Sequence, residues 1–384
     1  MRRAFILLAL LLMTACGGGP SEGVGAVSPD GSTTEDAGAQ DGARPITDAA
    51  TDADATTAAV EPVHFVGRFD TTDPMGPSSE WSGSDVLTHF TGTGIAVALH
   101  GSANQFAVSI DRATPTVFKF DGTTTMSTLA SGLAPGAHDL ELSRRTEASF
   151  YPVEFGGFTV TGGAIVPTPF PYTRRIEMVG DSITCGYGDE GVGPSCPFSA
   201  DTEDEYLAYG ALTARALDAA HVSISWSGKG MYRNYDGSTT ATMPLLYDLT
   251  QPTDTTARWD STKYVPDVVV INLGTNDFAT GDPGQAYVAA YTAFVTKLRG
   301  YYPKAFIVCA LGPMLADPNL ATARGYIQSV VATRTTSGDS RISFVEFTPQ
   351  DGSLGYGCDY HPTLATHQQM ATKLVAAIKT LTGW

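Results

Sequence analysis

Positive charge is scarce in this 384-residue chain: 23 Lys and Arg stand against 40 Asp and Glu, for a net charge of −17. Beyond Arg2 and Arg3 no segment concentrates basic side chains, which excludes nucleic acid and anionic lipid surfaces as partners, because binding them needs clustered Lys and Arg. Long apolar runs are also missing. Residues 4–13 are the one dense hydrophobic stretch, and it is too short to span a bilayer. The seven histidines (His64, His89, His100, His138, His221, His361 and His367) show no metal-ligand spacing, so no metal is expected. Between Gly17 and Ala59 large apolar side chains almost vanish, and Gly, Ala, Ser, Thr, Asp and Pro take their place.

What is present at the N-terminus is an export signal. Met1-Arg2-Arg3 followed by Ala4 to Met13 has the charged and apolar regions of a signal peptide, and Thr14-Ala15-Cys16-Gly17 resembles the lipobox of bacterial lipoproteins. Residues 1–15 are therefore expected to be removed and Cys16 to carry lipid, which anchors an otherwise soluble protein to a membrane, periplasmic or at the cell surface. Residues 16–59 cannot bury enough surface to offset their ordering entropy and read as a charged, extended tether.

Beyond the tether there are two patterns. From 60 to 166 the apolar residues alternate, as at Phe106, Val108 and Ile110 and again at Leu140 and Leu142, with turn clusters such as Ala134-Pro135-Gly136 between runs; this predicts an all-β sandwich of jelly-roll type. After Pro167-Thr168-Pro169-Phe170-Pro171, a junction not expected to continue a sheet, residues 167–384 alternate strands with helices. Apolar runs at Ile176–Val179, Val222–Trp226, Val268–Leu273, Phe306–Leu311 and Ile342–Phe347 predict five buried strands. Helices are predicted over Glu205–Ala219, Gln285–Tyr301, Leu320–Thr335 and Leu364–Leu381, giving an α/β unit with one parallel sheet covered on both faces.

The first of these strands stops at Gly180-Asp181-Ser182, which exposes a serine hydroxyl at the sheet edge where open α/β sheets bind their ligands. Ser227-Gly228-Lys229-Gly230 comes after the second strand, Gly274-Thr275-Asn276-Asp277 after the third, and Asp359-Tyr360-His361-Pro362 precedes the last helix. Singly each block reads as a cap, a turn or a surface histidine. Together, in this order, they supply a nucleophile, a base and hydrogen-bond donors for acyl transfer. The set resembles the SGNH (GDSL) hydrolase superfamily. The wording Gly-Asp-Ser-Ile-Thr-Cys-Gly-Tyr-Gly at 180–188, Ser-Gly-Lys-Gly-Met-Tyr-Arg-Asn at 227–234 and the preceding β region resemble, more narrowly, carbohydrate esterase family 2.

That resemblance implies a flavodoxin-like catalytic fold and no cofactor. It also implies Ser182 as nucleophile, His361 as base, and an oxyanion hole of the Ser182 N–H, the Gly230 N–H and the Asn276 amide, with Gly228 as the competing glycine. The superfamily places an acid three residues before its histidine. Here that position is Cys358, and Asp359 is one residue late, so either Asp359 still orients the imidazole or a main-chain carbonyl does, in a Ser-His dyad. Asp181 and Asp277 are assigned to holding loops. Trp226 and Trp259 are candidate sugar-stacking rings, with burial in the core as the plain alternative. Once Cys16 is set aside, four cysteines allow three pairings. Cys185 with Cys196 and Cys309 with Cys358 are expected, four free thiols being the alternative. A free imidazole titrates near 6.5, which is where the acid limb of the rate is expected from sequence. The function expected is removal of O-acetyl groups from an acetylated polysaccharide or oligosaccharide such as xylan or glucomannan, by a monomer. A lipase or lysophospholipase, and a non-catalytic sugar-binding lipoprotein, are the other readings.

Overall fold

The computed structural model describes residues 59–72 and 74–384, so the expected signal peptide, Cys16 and nearly all of the tether lie outside the described residues. No helix among the described residues is long and apolar enough to cross a membrane.

The N-terminal part is all β. Its main strands are β1 (His64–Val66), β2 (Asp85–Gly101), β3 (Asn104–Ile110), β4 (Thr116–Phe120), β5 (Met126–Arg144) and β6 (Val153–Thr161), paired antiparallel. Strands β2 and β5 are long, and their pairing shifts register between Gly92 and Gly94 and again between Ile95 and Ala96, where one extra β5 residue is inserted. Alternation puts Phe90, Ile95, Val97, Leu99, Phe106, Val108, Leu140 and Leu142 into one buried cluster. The proline-rich junction departs from expectation. Thr168 and Pro169 pair antiparallel with Glu61 and Val60. That two-strand ribbon is all edge, so the missing proline N–H breaks no ladder.

Five parallel strands form the second part: β7 (Arg174–Gly180), β8 (Ala219–Ser225), β9 (Val268–Asn272), β10 (Phe306–Leu311) and β11 (Ile342–Glu346), in the order β8-β7-β9-β10-β11. All five residues of β9 are buried. Val268 and Val270 point into a cluster with Met370, Leu374 and Ile378, whereas Val269 and Ile271 meet Tyr291, Phe294, Leu298 and Ile327 on the other face. Helices therefore cover both faces: α1 (Ser182–Cys185), α2 (Tyr209–Ala216), α3 (Gln285–Tyr301), α4 (Asn319–Thr336) and α5 (Leu364–Thr382). The segment before β8 is shorter in helix than its pattern suggested. Glu205–Leu207 is a separate turn, Asp218 takes a left-handed φ of 49°, and the chain enters β8 at Ala219.

Sandwich and sheet share a core. Val66, Trp81 and Leu87 join the cluster on the α3 face of the sheet, and the Trp81 indole donates to the Thr250 carbonyl at 3.0 Å. Arg68 crosses the same boundary to the Leu249 carbonyl at 3.1 Å and to Glu177 at 3.6 Å. The described residues thus form one compact unit.

Candidate active site

Strand order reverses between β7 and β9, and the crevice outside the C-terminal ends of such strands is where open α/β sheets place ligands. Gly180 ends β7 because nothing larger fits: a Cβ there would stand 1.9 Å from Thr184 Oγ1. Asp181 then caps α1, its carboxylate accepting the Ile183 N–H at 3.1 Å, and Ser182 opens the helix.

Ser182 meets His361, 179 positions later, with Oγ 2.8 Å from Nε2. The other ring nitrogen lies 3.1 Å from the Cys358 main-chain oxygen. A carbonyl only accepts, so Nδ1 carries the hydrogen and Nε2 is free to accept from Ser182. Burial pulls the imidazole down to about 4, although the Cys358 and Asp359 main chain and the Asp359 charge favour the protonated form. Asp359 is not the orienting acid. Its carboxylate accepts the Tyr187 hydroxyl at 2.7 Å.

The donors expected around an oxyanion are differently placed from their sequence reading. The Gly230 N–H donates to Asn234 Oδ1 at 3.2 Å, inside its own loop, so it is engaged there. Gly228 is the glycine whose amide stays out of that network: it holds φ +77°, accepts the Tyr235 N–H on its carbonyl, and lies against the Tyr235 ring, 2.7 Å from a built Cβ. Asn276 directs its amide to the Lys229 carbonyl at 2.9 Å and more weakly to Asp181 at 3.3 Å. Asp277 holds the 231–233 turn through the N–H groups of Met231, Tyr232 and Arg233 at 2.7–2.9 Å. From the sandwich side, Glu147 accepts the Ser227 N–H at 2.7 Å. Burial raises Asp181 to about 7, with the Asp277 charge adding to it.

Residues 65–169 match the carbohydrate esterase 2 N-terminal family, and residues 178–369 match the GDSL-like lipase/acylhydrolase family. The chain is 46% identical over 322 residues to the cellulase/esterase CelE of Acetivibrio thermocellus, an alignment that covers 83% of this chain and 39% of that protein. It is 30% identical to an acetylxylan esterase/glucomannan deacetylase of Cellvibrio japonicus, covering 86% of this chain and 92% of the relative. A family two carbohydrate esterase from Clostridium thermocellum, solved with cellohexaose, superposes with a TM-score of 0.81 at 45% identity, over 84% of this chain and 99% of that one. The chain belongs to carbohydrate esterase family 2. Its two-part architecture, an N-terminal β domain and a parallel sheet flanked by helices, is that of the family's solved structures.

In this family 2 chain the cysteine pairing differs from both expected bridges. Cys196 is bonded to Cys358, and Cys185 and Cys309 are free and buried. Cys185 faces inward to Ser225 Oγ at 3.3 Å, away from the loop that carries Cys196, and Cys309 sits inside β10. The tryptophans divide as well. Trp226 leaves β8 beside the site, its main-chain N–H reaching the Gly180 carbonyl at 3.4 Å, and Lys229 Nζ lies 4.6 Å from its ring centre. Trp259 packs on the core against Arg68 and Lys263, so the structure gives it a packing role.

Three rings near the site escaped the sequence reading. Tyr187 stacks on His361 with centroids 4.1 Å apart, and Tyr235 and Tyr360 are about 60% exposed beside Gly228 and His361. The Tyr-Gly after the nucleophile helix was visible in the sequence, but only folding shows that it covers the imidazole. Among the described residues, Glu147, Cys185 and Glu203 could offer three buried donor atoms within 4.8 Å of one another to a cation. Burial pushes the Cys185 thiol well up, and Arg144 already lies in the field of both carboxylates, so the set suits a cation poorly.

Proposed function

We propose that this protein is an exported serine esterase that removes O-acetyl groups from plant cell-wall polysaccharides of the xylan or glucomannan type, through an acetyl-serine intermediate. The observation that carries the reading is the 2.8 Å contact between Ser182 Oγ and His361 Nε2, with the tautomer set by the Cys358 carbonyl. A serine hydroxyl is a weak nucleophile until a base removes its proton during attack, and His361 is in reach to do so. The tetrahedral oxyanion is stabilised by the N–H groups of Ser182 and Gly228 and the amide of Asn276, whose 3.3 Å bond to Asp181 is weak enough to be exchanged for a full negative charge. Protonated His361 then returns the proton to the leaving sugar oxygen, and water repeats the sequence on the acetyl-serine.

The carbohydrate reading is supported by the relatives' names, acetylxylan esterase and glucomannan deacetylase, and by exposed Tyr235 and Tyr360, whose faces suit sugar rings. Export rests on residues 1–15 as a signal peptide, Cys16 as the lipid site and residues 16–59 as tether, placing the folded part outside the cytoplasm. Acetate release from acetylated xylan and glucomannan tests the proposal. Turnover is expected with wild-type protein and none with Ser182→Ala; preference for long acyl esters, or sugar binding without any hydrolysis, would refute it.

A further inference from the structure

The imidazole of a serine hydrolase needs a fixed partner for Nδ1, and here a single main-chain carbonyl, that of Cys358, takes the place of a carboxylate. A carbonyl can orient a ring only if its own peptide is held still. Cys358 is held on several sides. Its N–H donates to the Gly188 carbonyl at 2.9 Å, and its sulfur is bonded to Cys196, 162 positions away. The 188–191 turn closes over that bond: a Cβ on Gly191 would stand 2.5 Å from Cys358 Sγ and 2.8 Å from Cys196 Sγ, so only glycine leaves room for it.

The two residues after Cys358 make the restraint matter. Asp359 and Tyr360 occupy left-handed φ values of 49° and 62°, a conformation that costs a non-glycine residue and persists only where the surroundings impose it. On the far side of the bridge, Phe198 stands two residues after Cys196 and stacks on Tyr187 with centroids 4.3 Å apart. Tyr187 in turn stacks on His361 and donates its hydroxyl to Asp359. The contacts form a closed circuit through the disulfide, from Cys196 to Phe198, Tyr187, His361 and Cys358.

We propose that Cys196 is a positioning residue for catalysis: its bond to Cys358 fixes the carbonyl that orients His361, and through Phe198 and Tyr187 the same segment braces the face of the ring. This rests on the Ser182–His361 esterase reading. Opening the bridge with a dithiol reductant gives two thiols as the reductant becomes its own cyclic disulfide.

The test compares the full-length protein, its Cys196→Ser variant and wild type reduced with dithiothreitol, on a short acetate ester. With the bridge absent or open, kcat is expected to fall by about 10²-fold, the scale of a 1 Å misplacement, while KM changes by less than about twofold. Reoxidation should restore the reduced wild type, and Cys196→Ser should not respond to reductant. The pH profile separates positioning from mere loss of fold. Ser182, Tyr187, Asp359 and, from α5, His367 are the groups that face or act on the ring, and burial dominates its titration. An opened loop hydrates the imidazole and moves the acid limb up from about 4, whereas a smaller folded fraction leaves it in place. If Cys196→Ser fails to fold, reduced wild type with the open bridge confirmed by mass spectrometry gives the same reading. Wild-type kcat and an unmoved limb without the bridge would overturn the proposal. Turnover by Ser182→Ala would overturn the esterase reading itself, while an inert Ser182→Ala beside a fully active Cys196→Ser would strike the bridge alone.

Discussion

His361 is enclosed by its neighbours, and desolvation of the charged ring brings it down to about 4. Only the neutral ring accepts the Ser182 proton, so the base is in place above that value and is lost as pH falls through it. The acid limb that His361 sets on kcat/KM for a short acetate ester is therefore expected near pH 4. A limb near the free-imidazole value of about 6.5 would show the ring to be hydrated. That second value is what the sequence alone suggests, because spacing along the chain carries no information on burial. The Asp359 side chain belongs to Tyr187, so Asp359→Asn, which tolerates the left-handed backbone and still accepts the hydroxyl, should cost less than about tenfold in kcat; loss of a triad acid costs about 10⁴. Steady-state kinetics of that variant decides between dyad and triad. Ser182 and His361 were legible because one follows the first parallel strand and the other precedes the last helix, in the order acyl transfer needs. Gly228 against Gly230 was not legible, since the choice turns on which amide the Asn234 side chain takes.

At the scale of elements, the loop after β8 owes its shape to a residue after β9. Asp277 accepts three consecutive N–H groups from Met231, Tyr232 and Arg233, while the Arg233 guanidinium returns to the Asp277 carbonyl at 2.8 Å. Asp277→Asn turns an acceptor into a donor that faces those amides. It should lower stability by about 1–3 kcal/mol, the cost of leaving buried donors unpaired, and reduce kcat by about 10²-fold as the Gly228 amide shifts. Urea denaturation and kcat on one preparation check both effects. The five strands were readable because strands buried on both faces are continuous apolar runs, and the junction at Thr168 was not, because two residues of edge pairing leave no pattern. The bridge was missed for a related reason. Four cysteines fix the number of pairings, but only the fold of the 186–204 segment over the His361 loop brings Cys196 to Cys358.

Over the whole molecule, the boundary between sandwich and sheet is packed with ionisable groups. Arg68, Arg144 and Arg145 are buried beside Glu177, Glu203 and Asp204, and Asp85, Asp189 and Glu205 are buried there too. Desolvation raises these acids: Asp204 to about 6 and, at the active site, Asp181 to about 7, with Asp85, Asp189, Glu203 and Glu205 pushed well above the ordinary carboxylate range. A raised carboxyl holds a proton in the folded state that the unfolded chain has already released near pH 4, so its contribution to stability declines as pH rises toward its folded value. Buried His221, lowered to about 3, works in the opposite direction, and so do His367 at about 3 and His361 at about 4; all three are neutral when folded and bind a proton on unfolding below about 6.5. Below that pH the two sets oppose each other. Above it the histidines are neutral in both states and only the acids remain. The thermal midpoint at constant ionic strength is therefore expected to fall as pH rises from about 6.5 to 8. A midpoint that stays level across this window would mean that the buried arginines hold these carboxylates ionised, and that the interface is built on ion pairs instead of on protonated acids.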